Sequence, residues 1–280
     1  MAIGCALPAR AQPPVAAPTE RQPLEPDRPD VTNGTHIVDV GLLQMEVGVQ
    51  RLRLGGGAAS FGTPTTFRVG LTDWIEVRFG TDGYVSSTDP IAGTNSGIGN
   101  VQLGAKIRFW ADPGGIPVLS ILPGINLPTA SAAKGLGSGQ SDLTVALLTG
   151  TDFLTRGHVD VNYGFGMIGS GPGLSRFSQH LVSASASVEI PGPVTPYLEY
   201  FWISRQDPRG GHVAAMDAGA IYVITPRFAL DGGAQWGVSD AAPASVFAGV
   251  SVIVGNILGD HGVHARQRQA MKRSLGHPHK

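Results

Sequence analysis

The charged side chains of this chain are few, and nine of them sit at positions where they can share one wall. Arg68, Glu76, Arg78, Lys106, Arg108, Asp142, Asp160, Glu199 and Asp217 alternate with apolar residues or lie on the polar side of alternating runs. Glu46 and Asp231 do the same. Such a set, mixed in sign, can form a selectivity ring or solute path, or pair internally and keep a confined space polar. Pairing is the default, because an unpaired charge in a confined space costs several kcal/mol. Five of them, Arg68, Glu76, Arg78, Lys106 and Arg108, come from three consecutive runs and give a net-positive patch. That patch can attract anions or hold an acidic segment of the chain itself. The stretch "EPDRPDVTNGT" (25–35) supplies such a segment, with Asp27, Arg28 and Asp30 between prolines and an Asn-Gly turn signal.

Other chemistry finds little support. "GLGSG" at 135–139 lacks the strand-to-helix setting of a phosphate loop. There is no Gly-x-Ser-x-Gly elbow and no His-Glu-x-x-His metal helix, so the chain is expected not to be an enzyme and to carry no cofactor. His261, His264, His277 and His279 have spacings that can bind a metal, but they sit in a basic tail with no packing pattern, so no metal site is assigned. The single cysteine, Cys5, leaves no disulfide framework. With 20 basic and 21 acidic residues, nucleic acid is not an expected partner.

The elements that must position the charges have a period of two. Val101, Leu103, Ala105, Ile107 and Phe109 alternate with Gln102, Gly104, Lys106 and Arg108, and Val182 to Val188 alternate with serines. Side chains flip faces at each strand residue, so this pattern means two environments on two sides. The 40 glycines argue against a helical protein. Twelve strands are expected near 39–51, 64–71, 73–84, 98–111, 116–127, 141–154, 157–168, 178–190, 195–204, 212–224, 226–237 and 245–254. Short connections ("TD", "DPGGI", "TR", "PGPV") alternate with long ones such as "LRLGGGAASFGT" and "VSSTDPIAGTNSG". Alternating short turns and long loops, with strands of about 10 residues, mark an up-and-down transmembrane β-barrel with short periplasmic turns and longer extracellular loops. Trp74, Tyr84, Trp110, Tyr197, Trp202, Tyr222 and Trp236 fall mostly toward strand ends, as interfacial belts require. A soluble all-β protein remains an alternative, because residue identities alone do not say which face meets water.

The chain is expected to divide into four parts. Residues 1–11 read as a signal-peptide remnant, with Ala9-Arg10-Ala11 as a cleavage pattern. Residues 12–38 form a proline-rich leader and a segment at the periplasmic mouth, where Asp27, Arg28 and Asp30 are expected to pair with Arg68, Arg78 or Arg108. Residues 39–254 form the barrel, and 255–280 a disordered basic tail.

Specific motifs add to this. The chain carries Pro26-Asp27-Arg28-Pro29-Asp30, a strand "GLLQMEVGVQ" (41–50), and a hairpin with Arg68, Gly70 to Asp73, Glu76 and Arg78. Gly99, Gly104, Lys106 and Arg108 follow, then Leu127 to Thr129 and a late "TPRFALDGGAQWG". In these it resembles the bacterial outer-membrane transporter family of the phenol meta-degradation (MetA) pathway type, over nearly all of 26–254. It departs from the usual barrel ending, since 25 or so residues follow the last strand instead of a terminal aromatic. The resemblance implies a passive outer-membrane channel for small solutes, aromatic or apolar, with outer-membrane lipid, the barrel-assembly machinery and the solute as partners. A structural or lipid-interacting barrel with a closed lumen is the alternative.

Overall fold

Alternating apolar and polar residues do not form a stable isolated ribbon, because each strand leaves backbone N–H and C=O groups open at both edges. Closing the sheet on itself removes the edges. The structure, a computed structural model, describes residues 24–29, 31–110, 117–240 and 242–258. Fifteen strands occur there: β1 (Leu42–Arg53), β2 (Ala59–Gly62), β3 (Thr65–Thr72), β4 (Ile75–Thr81), β5 (Tyr84–Asp89), β6 (Gly93–Ile98), β7 (Val101–Trp110), β8 (Val118–Leu127), β9 (Asp142–Phe153), β10 (Gly157–Ile168), β11 (Phe177–Val188), β12 (Val194–Ile203), β13 (Val213–Thr225), β14 (Phe228–Gly237) and β15 (Ala244–Asn256).

Twelve of them make a closed antiparallel barrel in the order β1, β3, β4, then β7 through β15, and β15 pairs back onto β1. The closing seam runs from Leu42↔Asn256 to Arg53↔Ala244. The expected twelve-stranded up-and-down barrel is therefore the fold. The two long stretches read as loops differ from expectation, since they contain β2, β5 and β6. These strands extend one side of the barrel beyond its long-loop rim: the far half of β1 pairs with β2, β2 with β5, and β5 with β6.

Polarity is reversed relative to a water-soluble sandwich. Arg68, Lys106, Glu46, Glu76 and Glu199 are among the largest fully buried side chains, while Val77, Phe79, Leu103, Phe109, Leu147, Leu198 and Tyr200 are exposed. A continuous apolar outside around a polar inside suits lipid as the outer solvent, and a soluble fold would join those apolar faces in a core. Tyr197 departs from the belt expectation. It is buried, on the same face as Glu199 and Phe201, and a Cβ on Gly219 would meet its ring. Residues 1–23, Asp30 and the tail from 259 onward lie outside the described residues.

Candidate functional site

Before entering β1, the chain folds inside the barrel. The loop starts at the short-turn end, where the Leu24 N–H donates to the Pro226 carbonyl (3.1 Å). There Leu24, Val38 and Leu42 pack with Ala229 and Ile253 as an apolar base. Residues 25–29 and 31–35 lie in the lumen, and Val31 at the far side packs against Phe201, Val213 and Ala215. The returning limb crosses β3 at Gly70, which receives the Gly41 N–H on its carbonyl (2.8 Å). A side chain at Gly70 would overlap the Val38 carbonyl oxygen, so glycine is required by this close approach.

At the middle of the loop, Asp27 meets three cations from three wall strands. Its Oδ2 lies 2.8 Å from Lys106 Nζ and 3.5 Å from Arg68 Nη2, and it contacts Arg78. Arg68 in turn donates to Glu46 Oε1 (2.8 Å) and to both oxygens of Glu76 (2.9 and 3.0 Å). Arg78 Nε donates to Glu76 Oε1 at 2.8 Å. His36 Nε2 sits 2.8 Å from Arg68 Nη2. A guanidinium only donates, so this nitrogen accepts and the ring is neutral. Its Nδ1–H then faces Glu25 Oε2 at 3.3 Å. Lys106 Nζ also donates to the Gly34 carbonyl (2.6 Å), and Glu76 Oε2 receives the Val38 N–H (2.9 Å). The charges thus hold the loop through its backbone as well as through Asp27.

Arg28 turns to the opposite wall and pairs with Asp231 at 3.3 Å rather than with the cationic patch. Its guanidinium lies over Gly48 and Gly249, which face each other across the closing seam. Any side chain there would occupy the space of the guanidinium. Glu199 receives the Val31 N–H (2.9 Å), the Thr32 N–H (2.6 Å) and the Thr32 hydroxyl. With its own proton on Glu199, Thr32 Oγ1 accepts from the Ser183 hydroxyl (2.8 Å). Asn33 and Asn162 exchange bonds of 2.7 and 3.0 Å, and Ser120 Oγ donates to the Thr35 carbonyl at 3.2 Å. Counting these contacts together with Gln44 on the Glu25 carbonyl and Arg28 on Ala248, the loop bonds to ten of the twelve barrel strands among the described residues.

The remaining expected positions are spread along the lumen. Asp217 lies in register with Glu199 and is buried. Asp142 accepts from Asn126 Nδ2 (2.9 Å) and from the Gly169 N–H (2.8 Å), which ties it to the long-loop rim. Asp160 faces His158 at 3.2 Å on β10. Among the described residues, Arg108 has no bond to the loop. It donates to the Asp73 carbonyl (2.8 Å) and stacks over Trp74 at the short-turn end. Reading the sequence missed the two-glycine seat of Arg28 and the Thr32–Glu199 and Asn33–Asn162 clasps. The parity of Gly48 with Glu46 on β1 is the one signal for this seat in the sequence.

A cavity of about 480 Å³ remains beside the loop, against β7 to β11. It exists because the inward residues there are small. Gly104, Gly124, Thr144 and Gly166 are register neighbours on successive strands, with Leu122, Ala146 and Gly164 one row below. Arg78, Val31, Asn33 and Asn162 also line it, where it meets the loop.

A closed twelve-stranded barrel with an apolar exterior, a charged interior and a chain segment folded into its lumen is an outer-membrane-type β-barrel. The chain belongs to the family described as "Putative MetA-pathway of phenol degradation", which matches residues 26–252. Its fold is similar to that of an outer membrane channel from Pseudomonas putida F1, with a TM-score of 0.58 and 14% identity, covering 85% of this chain and 99% of that one. The NanC porin is also similar, with a TM-score of 0.50 and 14% identity over 75% of this chain and 98% of that one. No curated protein matches the sequence.

Proposed function

We propose that this chain is a bacterial outer-membrane channel for passive passage of small solutes, with the loop at 24–41 as its internal gate. The observation that carries the reading is the cavity between the loop and the glycine-lined wall of β7 to β10. Small inward residues on adjacent strands leave a cavity on one side of an otherwise filled lumen, and the loop residues Val31 and Asn33 bound it. In this orientation the short turns face the periplasm and the long loops face outward, with lipid around the apolar belt and the barrel-assembly machinery as the inserting partner. The family description, phenol degradation, and the apolar members of the cavity lining, Leu122, Ile168 and Leu181, support an aromatic or apolar compound.

Swelling of liposomes containing the purified barrel tests this. Phenol-sized solutes should enter, and Ala146→Trp, which fills the cavity from β9, should slow entry several-fold while leaving the heat-modifiable gel mobility unchanged. Equal swelling by the two proteins would count against this reading. A permanently closed, structural barrel is the second reading, favoured by the bonds from the loop to ten strands. It requires no solute entry in either protein.

A further inference from the structure

The ionic group around Asp27 is balanced only while the loop is in place. Arg68, Arg78 and Lys106 supply three positive charges, and Glu46, Glu76 and Asp27 three negative ones. Glu46 and Glu76 belong to the barrel wall and cannot leave, whereas Asp27 belongs to the loop. Moving the loop therefore leaves three cations facing two carboxylates, in a space where Arg68 and Lys106 have no exposed surface. A confined charge without a partner is costly, so loop movement needs a substitute anion.

We propose that Arg68, Arg78 and Lys106 form an anion site that Asp27 fills in the closed barrel and that a small carboxylate-bearing solute fills in its place. This deepens the channel reading and rests on it, since it names the class of solute whose binding opens the loop. Three features of the geometry specify a carboxylate. Among the direct ion-pair partners the deficit is a single charge, that of Asp27, since the Glu25 carboxylate contacts His36. All three cations converge on one oxygen, Asp27 Oδ2, while Oδ1 receives the Gly34 N–H at 3.2 Å, so a two-oxygen planar group is what the site already accommodates. Guanidinium forks favour that planar group over a spherical halide.

The approach is also built. Arg78 is both a partner of Asp27 and part of the cavity lining, so a solute descending the glycine wall reaches this cation first. Asn33, whose Oδ1 receives Arg78 Nη1 (2.9 Å), stands beside it. The carboxylate on the cavity wall, Asp142, has its two oxygens directed to Asn126 and to the Gly169 N–H. The exchange is a competition with a tethered group. Asp27 has a high effective concentration, so the wild-type barrel binds free carboxylate weakly, and a barrel lacking Asp27 binds it well.

The test is chemical rescue in the full chain, purified in detergent. Asp27→Gly should unfold roughly 5–15 °C below wild type. Acetate or benzoate should restore most of that midpoint, chloride at the same ionic strength should not, and wild type should respond to neither. In Asp27→Gly/Arg78→Gln the rescue should be lost. If Asp27→Gly does not fold, its recovery on refolding from urea is read instead: folded barrel with acetate but not with chloride supports the site, and none with either overturns it. Equal response to chloride and carboxylate, or rescue that persists without Arg78, also overturns it. Because the readout is stability, a barrel that passes no solute can still show rescue and a conducting barrel can fail to, so this site and the channel reading fail separately.

Discussion

Arg68 shows how much of the lumen rests on single side chains. It has no exposed surface, and it holds Glu46, Glu76, Asp27 and, through its backbone carbonyl, Glu25. Arg68→Met keeps the volume but takes from Glu46 its ion-pair partner and leaves Glu76 with Arg78 alone, at a cost of about 3–5 kcal/mol. The urea midpoint, read by heat-modifiable gel mobility, should fall accordingly, whereas Arg108→Met, at the short-turn end, should shift it far less. Equal effects of the two would contradict the pairing described. Gly48→Leu offers a second check, since it fills the seat of Arg28 and should loosen the loop without unfolding the barrel. Protease cleavage near 25–35 in the folded protein would reveal the looser loop. The inward direction of these charges was legible in the sequence, because alternation assigns faces. Their partners were not. Which of several inward carboxylates meets Thr32 depends on the path of a non-repetitive loop, and no periodicity encodes that path. The destinations of Asp27 and Arg28, on opposite walls, follow from that path as well.

At the scale of elements, the twelve barrel strands were readable because each has lipid on one face and a polar lumen on the other. That contrast disappears above the rim. In β5 and β6, "YVSSTD" and "GTNSGI", both faces carry small or polar residues, so the period is lost and the sequence reads as loop. Their backbone pairing is nonetheless complete from Tyr84↔Ile98 to Asp89↔Gly93. Closure does not depend on this hairpin, since β4 pairs directly with β7 from Ile75↔Ile107 to Thr81↔Val101. Replacing residues 84–98 with a short Gly-Ser linker should therefore leave gel mobility and unfolding midpoint nearly unchanged. A barrel that no longer folds would show that the extension carries more than its pairing suggests. Tyr197 departs from its expected place for a related reason: aromatic identity suggests a belt, but its parity with Glu199 on β12 points it inward.

For the whole molecule, the twelve-pair seam between β1 and β15 makes the wall a closed ring, so opening must come from the loop or not at all. The loop is anchored at its base by Leu24 and Val38 and at its tip by Val31, with ionic contacts between. In the proposed channel, moving the loop would break many weak bonds and one buried ionic cluster, and a slow, rarely open channel is the expected behaviour. Thr32 and Ser183 give a direct handle on this motion. Their side-chain oxygens are 2.8 Å apart, a separation from which two sulfurs can bond with little adjustment. The deciding measurement is planar-bilayer conductance of Thr32→Cys/Ser183→Cys under oxidising and reducing conditions. A gating loop predicts no openings when the disulfide is formed and wild-type openings after reduction. The same conductance in both states, or none in either, would contradict it.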